Sequence, residues 1–114
     1  MKNIEIVNRL LLKKIYKKRP EWSHKGDFGH LLVIGGSKKY SGSPAFNTLA
    51  AYRSGVDLVT VVAPKRAANI IATFSPDMIT YPLEGDYLKK TFKRNFRINR
   101  RCQCISNRWW SGKK

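Results

Sequence analysis

Two short clusters in this chain could bring main-chain donors up to an oxygen-rich ligand. The run His30-Leu31-Leu32-Val33-Ile34 closes on Gly35-Gly36-Ser37, and Ser41-Gly42-Ser43-Pro44 follows a few residues later. A glycine pair leaves no side chain to block close backbone approach. A helix that starts at Ser43-Pro44 offers unpaired N–H groups and the positive end of its dipole, which suits a phosphate or an amide oxygen. The candidate contacts are Gly35, Gly36, Ser37, Gly42 and Ser43, with Asn47 one turn into the helix. Each has a plainer alternative. Gly-Gly-Ser after a strand also makes an ordinary β-to-α connection, and Asn47 could cap its own turn. No residue is assigned as catalytic. Cys102-Gln103-Cys104 offers two thiolates without further cysteines or a paired histidine, a poor zinc set. No metal ligand is assigned.

The elements that must position these residues follow from periodicity. The continuous apolar run into Gly35-Gly36 predicts a strand buried on both faces, as in a parallel sheet. Ser at the cap and Pro at the first helical position predict a helix from Ser43-Pro44. Its small-residue face, with Ala45, Leu49, Ala50 and Tyr52, suits packing on a sheet, and Gly55 is a natural stop. A second buried strand is expected at residues 58–62, a helix opened by Pro64 through Ile71, and a short strand around Met78 to Tyr81. Strand, helix, strand, helix, strand implies a right-handed parallel α/β unit. Ahead of it, Ile4, Val7, Leu10, Leu11 and Ile15 fall at helical spacing, predicting an amphipathic helix over residues 4–18 ended by Pro20. Its lysine face could meet something acidic; the simpler expectation is a solvated face on a helix packed against the domain.

The chain has 114 residues, 42% of them hydrophobic, and a formal charge of +16. That length allows at most one small domain. Between Lys89 and Lys114 there are ten Lys or Arg and no acid, while all seven acids lie earlier. Composition therefore breaks near Lys89. Leu10 to Leu12 is too short for a signal peptide, and no stretch approaches the roughly 20 apolar residues of a membrane helix. The expected location is cytoplasmic.

The string His24-Lys25-Gly26-Asp27-Phe28-Gly29-His30, running into Leu32-Val33-Ile34-Gly35-Gly36-Ser37, resembles the NAD(P)H-hydrate dehydratase family. Ser41-Gly42-Ser43-Pro44-Ala45 and the stretch from Leu49 to Thr60 continue the likeness in order and spacing. Pro76-Asp77-Met78 fits the family's next strand, so the resemblance covers roughly residues 22–83. It implies an α/β, ribokinase-like three-layer fold with parallel strands and flanking helices, here incomplete. It also implies use of ADP or ATP with Mg2+ to phosphorylate the hydroxyl of hydrated NADH or NADPH, followed by loss of phosphate. The loop matching Ser41 to Ser43 would contribute to the damaged-cofactor site, with Ser43 where the family usually has Ala. The family's phosphate loop and its catalytic Asp lie in a later half, and nothing after Gly85 supplies them.

Three segments result: an N-terminal amphipathic helix at 1–21, the front of a dehydratase domain at 22–88, and a basic tail at 89–114 expected to be disordered. Back-translated with A/T-rich codons where there is a choice and read one base forward, the tail can give an amphipathic helix, a buried strand and a glycine-rich turn. Trp109 and Trp110, with a single codon each, force two consecutive glycines. A frameshift within the codons of Lys89-Lys90 would produce such a tail. A rival reading gives the ten charges, with Phe92, Phe96, Trp109 and Trp110, to nucleic acid, although no groove-tracking pattern accompanies them. A third makes the chain a non-functional gene remnant. The exposed edge of a partial sheet is expected to favour self-association.

Overall fold

The computed structural model describes residues 6–88 and a further strand at 102–106. Helix α1, Arg9–Ile15, is capped by Asn8, whose side chain accepts the Leu11 N–H at 3.0 Å. It ends at Ile15, three residues short of the predicted end. Pro20 disfavours helical backbone at Arg19, and the Arg19 guanidinium is held instead by Asp57 and by the Gly55 carbonyl. The predicted start at Ile4 lies outside the described residues. No residue of α1 is buried, with Leu10 and Ile15 69% and 62% exposed. Against expectation, α1 therefore does not pack on the described part of the domain.

Strand β1 occupies His30–Ile34, as its apolar run predicts. Helix α2, Gly42–Arg53, begins earlier than the Ser43-Pro44 pair suggests, with Ser41 at the cap position. Pro44 is then the third helical residue, where its missing N–H is still one of the orphan donors and costs nothing. Gly55 ends the helix at φ +92°, its N–H reaching the Tyr52 carbonyl at 3.0 Å. Strand β2 is Leu58–Pro64 and helix α3 Lys65–Ala72, with Pro64 as its cap residue. Strand β3, Ile79–Leu83, starts one residue after Met78. It forms one edge of the sheet, which is why Pro82, lacking an N–H, is tolerated.

A fourth strand, β4, falls in the basic tail at Cys102–Ser106. The disorder expected over 89–114 does not hold at these five residues; the rest of that segment lies outside the described residues. All pairings are parallel, in the order β3-β2-β1-β4. Two right-handed crossovers carry the chain outward from β1 to β3, which places α2 and α3 on one face. That face holds the core: Leu31 and Val33 of β1 and Val59, Val61 and Ala63 of β2 pack under Ala45, Ala51, Ala67, Ala68 and Ile71. Leu32 and Val62, pointing to the other face, are buried as well. β4 lies on the far side of β1, so the direction of winding reverses there. Ligands of open α/β sheets bind beyond the strand carboxyl ends at such a reversal.

Candidate functional site

The six candidate contacts occupy the connection that leaves β1 at this reversal. Gly35 is buried and donates its N–H to the Val62 carbonyl at 3.1 Å, which ties the turn to the end of β2. Gly36 has φ +88°, and a Cβ there would meet the Ala67 Cβ and the Tyr40 carbonyl oxygen at 3.3 Å each. Both its backbone conformation and its neighbours demand glycine. Ser37 is buried and closes its own loop: its N–H donates to the Tyr40 carbonyl at 2.8 Å, and its Oγ accepts the Tyr40 N–H at 3.1 Å. Its side chain thus shapes the loop.

Gly42 and Ser43 are exposed at the start of α2, and Asn47 is half-buried one turn on. Ser41 makes no side-chain hydrogen bond to the helix, so the first-turn N–H groups are left uncapped by it. This donor set fits a phosphate or amide oxygen. Among the described residues no group of three His, Cys, Asp or Glu could hold a metal ion.

The loop is braced from outside by residues the sequence does not single out. Arg66 Nη1 donates to the Lys38 carbonyl at 2.6 Å, the Lys38 N–H donates to the Asp86 carbonyl at 2.7 Å, and Lys38 Nζ pairs with the Asp86 carboxylate at 3.0 Å. Asp86 thereby holds the loop that carries the candidates. Nothing in a single sequence pairs positions 38 and 86. An open depression of about 570 Å³ lies beside this brace, between Lys65, Arg66, Asn69 and the Glu84-Gly85-Asp86 turn. None of the six candidates lines it.

At the opposite end of the sheet, Asp57 organises the loop formed by His24 to Gly29. Its Oδ2 accepts the N–H groups of Phe28 and Gly26 at 2.9 and 3.1 Å, and Oδ1 binds Arg19 at 2.8 Å. Arg19 also lies 4.2 Å from the centroid of the Phe28 ring. The Phe28 N–H first, and then Arg19 and Gly26, hold the Asp57 carboxyl below its ordinary value. A depressed folded-state value means stability that is present above the ordinary carboxylate range and lost as pH falls through it. The thermal midpoint of the wild type should therefore exceed that of Asp57→Asn by a constant margin near neutrality, a margin that shrinks below about pH 4. A margin independent of pH would contradict the clasp.

The NAD(P)H-hydrate dehydratase family model matches residues 31–105, so the match runs into the basic tail. The bifunctional NAD(P)H-hydrate repair enzyme Nnr of Methanothermobacter thermautotrophicus is 51% identical over 77 residues, 68% of this chain and 15% of that protein. The ATP-dependent (S)-NAD(P)H-hydrate dehydratase of Neurospora crassa is 45% identical over 60 residues, 53% of this chain and 17% of that protein. The crystal structure of a hypothetical protein from Streptococcus mutans superposes with a TM-score of 0.61 at 40% identity, covering 68% of this chain and 28% of that one. The chain thus spans less than a third of the length of each of these proteins.

Proposed function

The chain belongs to the NAD(P)H-hydrate dehydratase family, and from that premise we propose that it forms the damaged-cofactor wall of such an enzyme and is inactive alone. The whole reaction would use ADP or ATP with Mg2+ on hydrated NADH or NADPH, in the cytoplasm. The nucleotide supplies a phosphoryl group that turns the substrate hydroxyl into a leaving group. This chain's part is to bind and orient. The start of α2 at Gly42 and Ser43, where Ser41 makes no side-chain cap, would offer N–H donors to a phosphate or amide oxygen, with the Gly36 turn beside it. Asn47, on the same helix one turn later, adds a polar side chain. Phosphoryl transfer needs positioning and charge stabilisation together, and the described residues furnish only the first.

One observation carries this reading: a glycine turn and the start of a helix meet where the sheet's winding reverses. Nothing among the described residues favours nucleic acid as the ligand. β3 lies at an edge of the described sheet, which supports self-association as part of the same proposal. No described helix is long and apolar enough to cross a membrane.

Titration of the chain with hydrated NADH, followed by amide NMR, tests the binding role. Shifts are expected first at Gly35, Gly36, Ser37, Gly42, Ser43 and Asn47, with weak affinity because these residues would touch the ligand from one side only. Shifts clustered around Lys65, Asn69 and Gly85 instead would move the site to the neighbouring depression and overturn the assignment.

A further inference from the structure

The open depression beside the loop brace has a volume of about 570 Å³, in the range of small-molecule sites. Helix α3 supplies one wall with Lys65, Arg66, Asn69 and Ile70, and the Glu84-Gly85-Asp86 turn after β3 supplies the other. Both walls stand at the carboxyl ends of β2 and β3, the same edge of the sheet as the six candidate contacts. The loop after β1 lies two strands from β3, a span of about 10 Å. An extended dinucleotide is longer than that span.

The charges of this depression do not balance once its pairs are considered. Asp86 is neutralised by Lys38, whose Nζ lies 3.0 Å from its carboxylate. Lys65 and Arg66 are left against Glu84 alone. Glu84 holds Lys65 loosely, at 3.6 Å with the two side chains 90% and 62% exposed, and such a surface pair contributes little. Arg66 gives one of its five N–H donors to the Lys38 carbonyl at 2.6 Å. That bond fixes the guanidinium at the rim, with the rest of its fork turned to other partners. Asn69, one turn along α3 from Lys65, adds an amide, and half-buried Ile70 beside it offers an adenine ring apolar contact. Two cations, one of them a fixed fork, together with an amide suit a phosphomonoester, which is close to dianionic at neutral pH.

We propose that the depression takes the 2′-phosphate of hydrated NADPH on Lys65, Arg66 and Asn69, and that this contact makes the chain favour the phosphorylated form over hydrated NADH. The inference rests on the reading that the residues between Gly35 and Asn47 hold the damaged nicotinamide end of the same molecule. The pyrophosphate and adenosine then run across the carboxyl end of β2. The brace between Lys38, Arg66 and Asp86 ties the two ends of the site together. An anion entering the depression draws Lys65 away from Glu84.

2′,5′-ADP and 5′-AMP differ only in the phosphate concerned, and titration of the 114-residue chain with each, followed by amide NMR, tests the proposal. 2′,5′-ADP is expected to shift Lys65, Arg66, Asn69 and Gly85 and to bind about tenfold more tightly, the effect of one added contact to a charged group. Neither Lys65 nor Glu84 belongs to the brace. Lys65→Gln should therefore remove most of the preference and Glu84→Gln enlarge it, with the circular dichroism of both variants unchanged. Equal binding of the two nucleotides, shifts confined to other residues, or a preference untouched by Lys65→Gln would overturn the proposal. Because 2′,5′-ADP carries no nicotinamide, its titration reports on the depression alone. Failure of hydrated NADH to shift the six contacts sinks the damaged-cofactor reading and is seen separately.

Discussion

Gly36→Ala is expected to destabilise the chain by about 1–3 kcal/mol, the usual cost of holding a non-glycine residue in a left-handed or otherwise sparsely populated conformation. The positive φ alone sets the lower end. The upper end follows from what the new methyl meets: the Ala67 Cβ and the Tyr40 carbonyl oxygen at 3.3 Å, and the Pro44 Cγ at 3.4 Å. Ala67 is fully buried in α3 and Pro44 is buried in α2, so neither yields as a flexible side chain would. The loop must open or the two helices must separate. Urea unfolding followed by circular dichroism checks this, with Gly42→Ala as the comparison. At Gly42 a Cβ meets only the Phe46 ring at an ordinary 3.8 Å, and the lost chain entropy favours alanine slightly. Equal midpoints for the two variants would show that the turn is not built as described.

Ile71→Ala should have the larger effect, about 2–5 kcal/mol. Ile71 is fully buried and belongs to the cluster in which α2 and α3 close over β1 and β2. The other helix residues of this cluster are small, Ala45, Ala51, Ala67 and Ala68, and the sheet adds the stiff Val33, Val59 and Val61 beside Leu31. Small side chains cannot swing into a void, so the cavity left by truncation stays open and the cost lies toward the top of the range. For a domain of this size each kcal/mol lowers the thermal midpoint by about 4–8 °C. A shift of only a few degrees would mean that α3 does not cover the sheet as described.

The parallel α/β order was readable from the sequence because buried parallel strands are continuous apolar runs and glycines punctuate them. His30 to Ile34 ends where its glycines say it should, and Gly55 ends α2 as a helix stop. The start of α2 was harder to place, since Ser41 and Ser43 are equally good cap residues and Pro44 is accepted anywhere in the first turn. The packing of α1 was not readable at all: helical spacing reveals an apolar face, not what covers it. The braces at Lys38, Arg66 and Asp86 and the clasp at Asp57 were invisible for a related reason. They join positions 28 to 48 residues apart, and no periodicity links such positions. The candidate ligand residues were legible because they lie close together in the sequence, between Gly35 and Asn47, and because their chemistry is chiefly that of the main chain.

The decisive measurement is the recovery of NADH absorbance from hydrated NADH by the purified 114-residue chain, supplied with ADP or ATP and Mg2+. No recovery above the rate without protein is predicted, because the cofactor wall alone cannot position and neutralise a phosphoryl group in flight. Sustained turnover that depends on the nucleotide would contradict that claim and require the chemistry to reside within these residues after all.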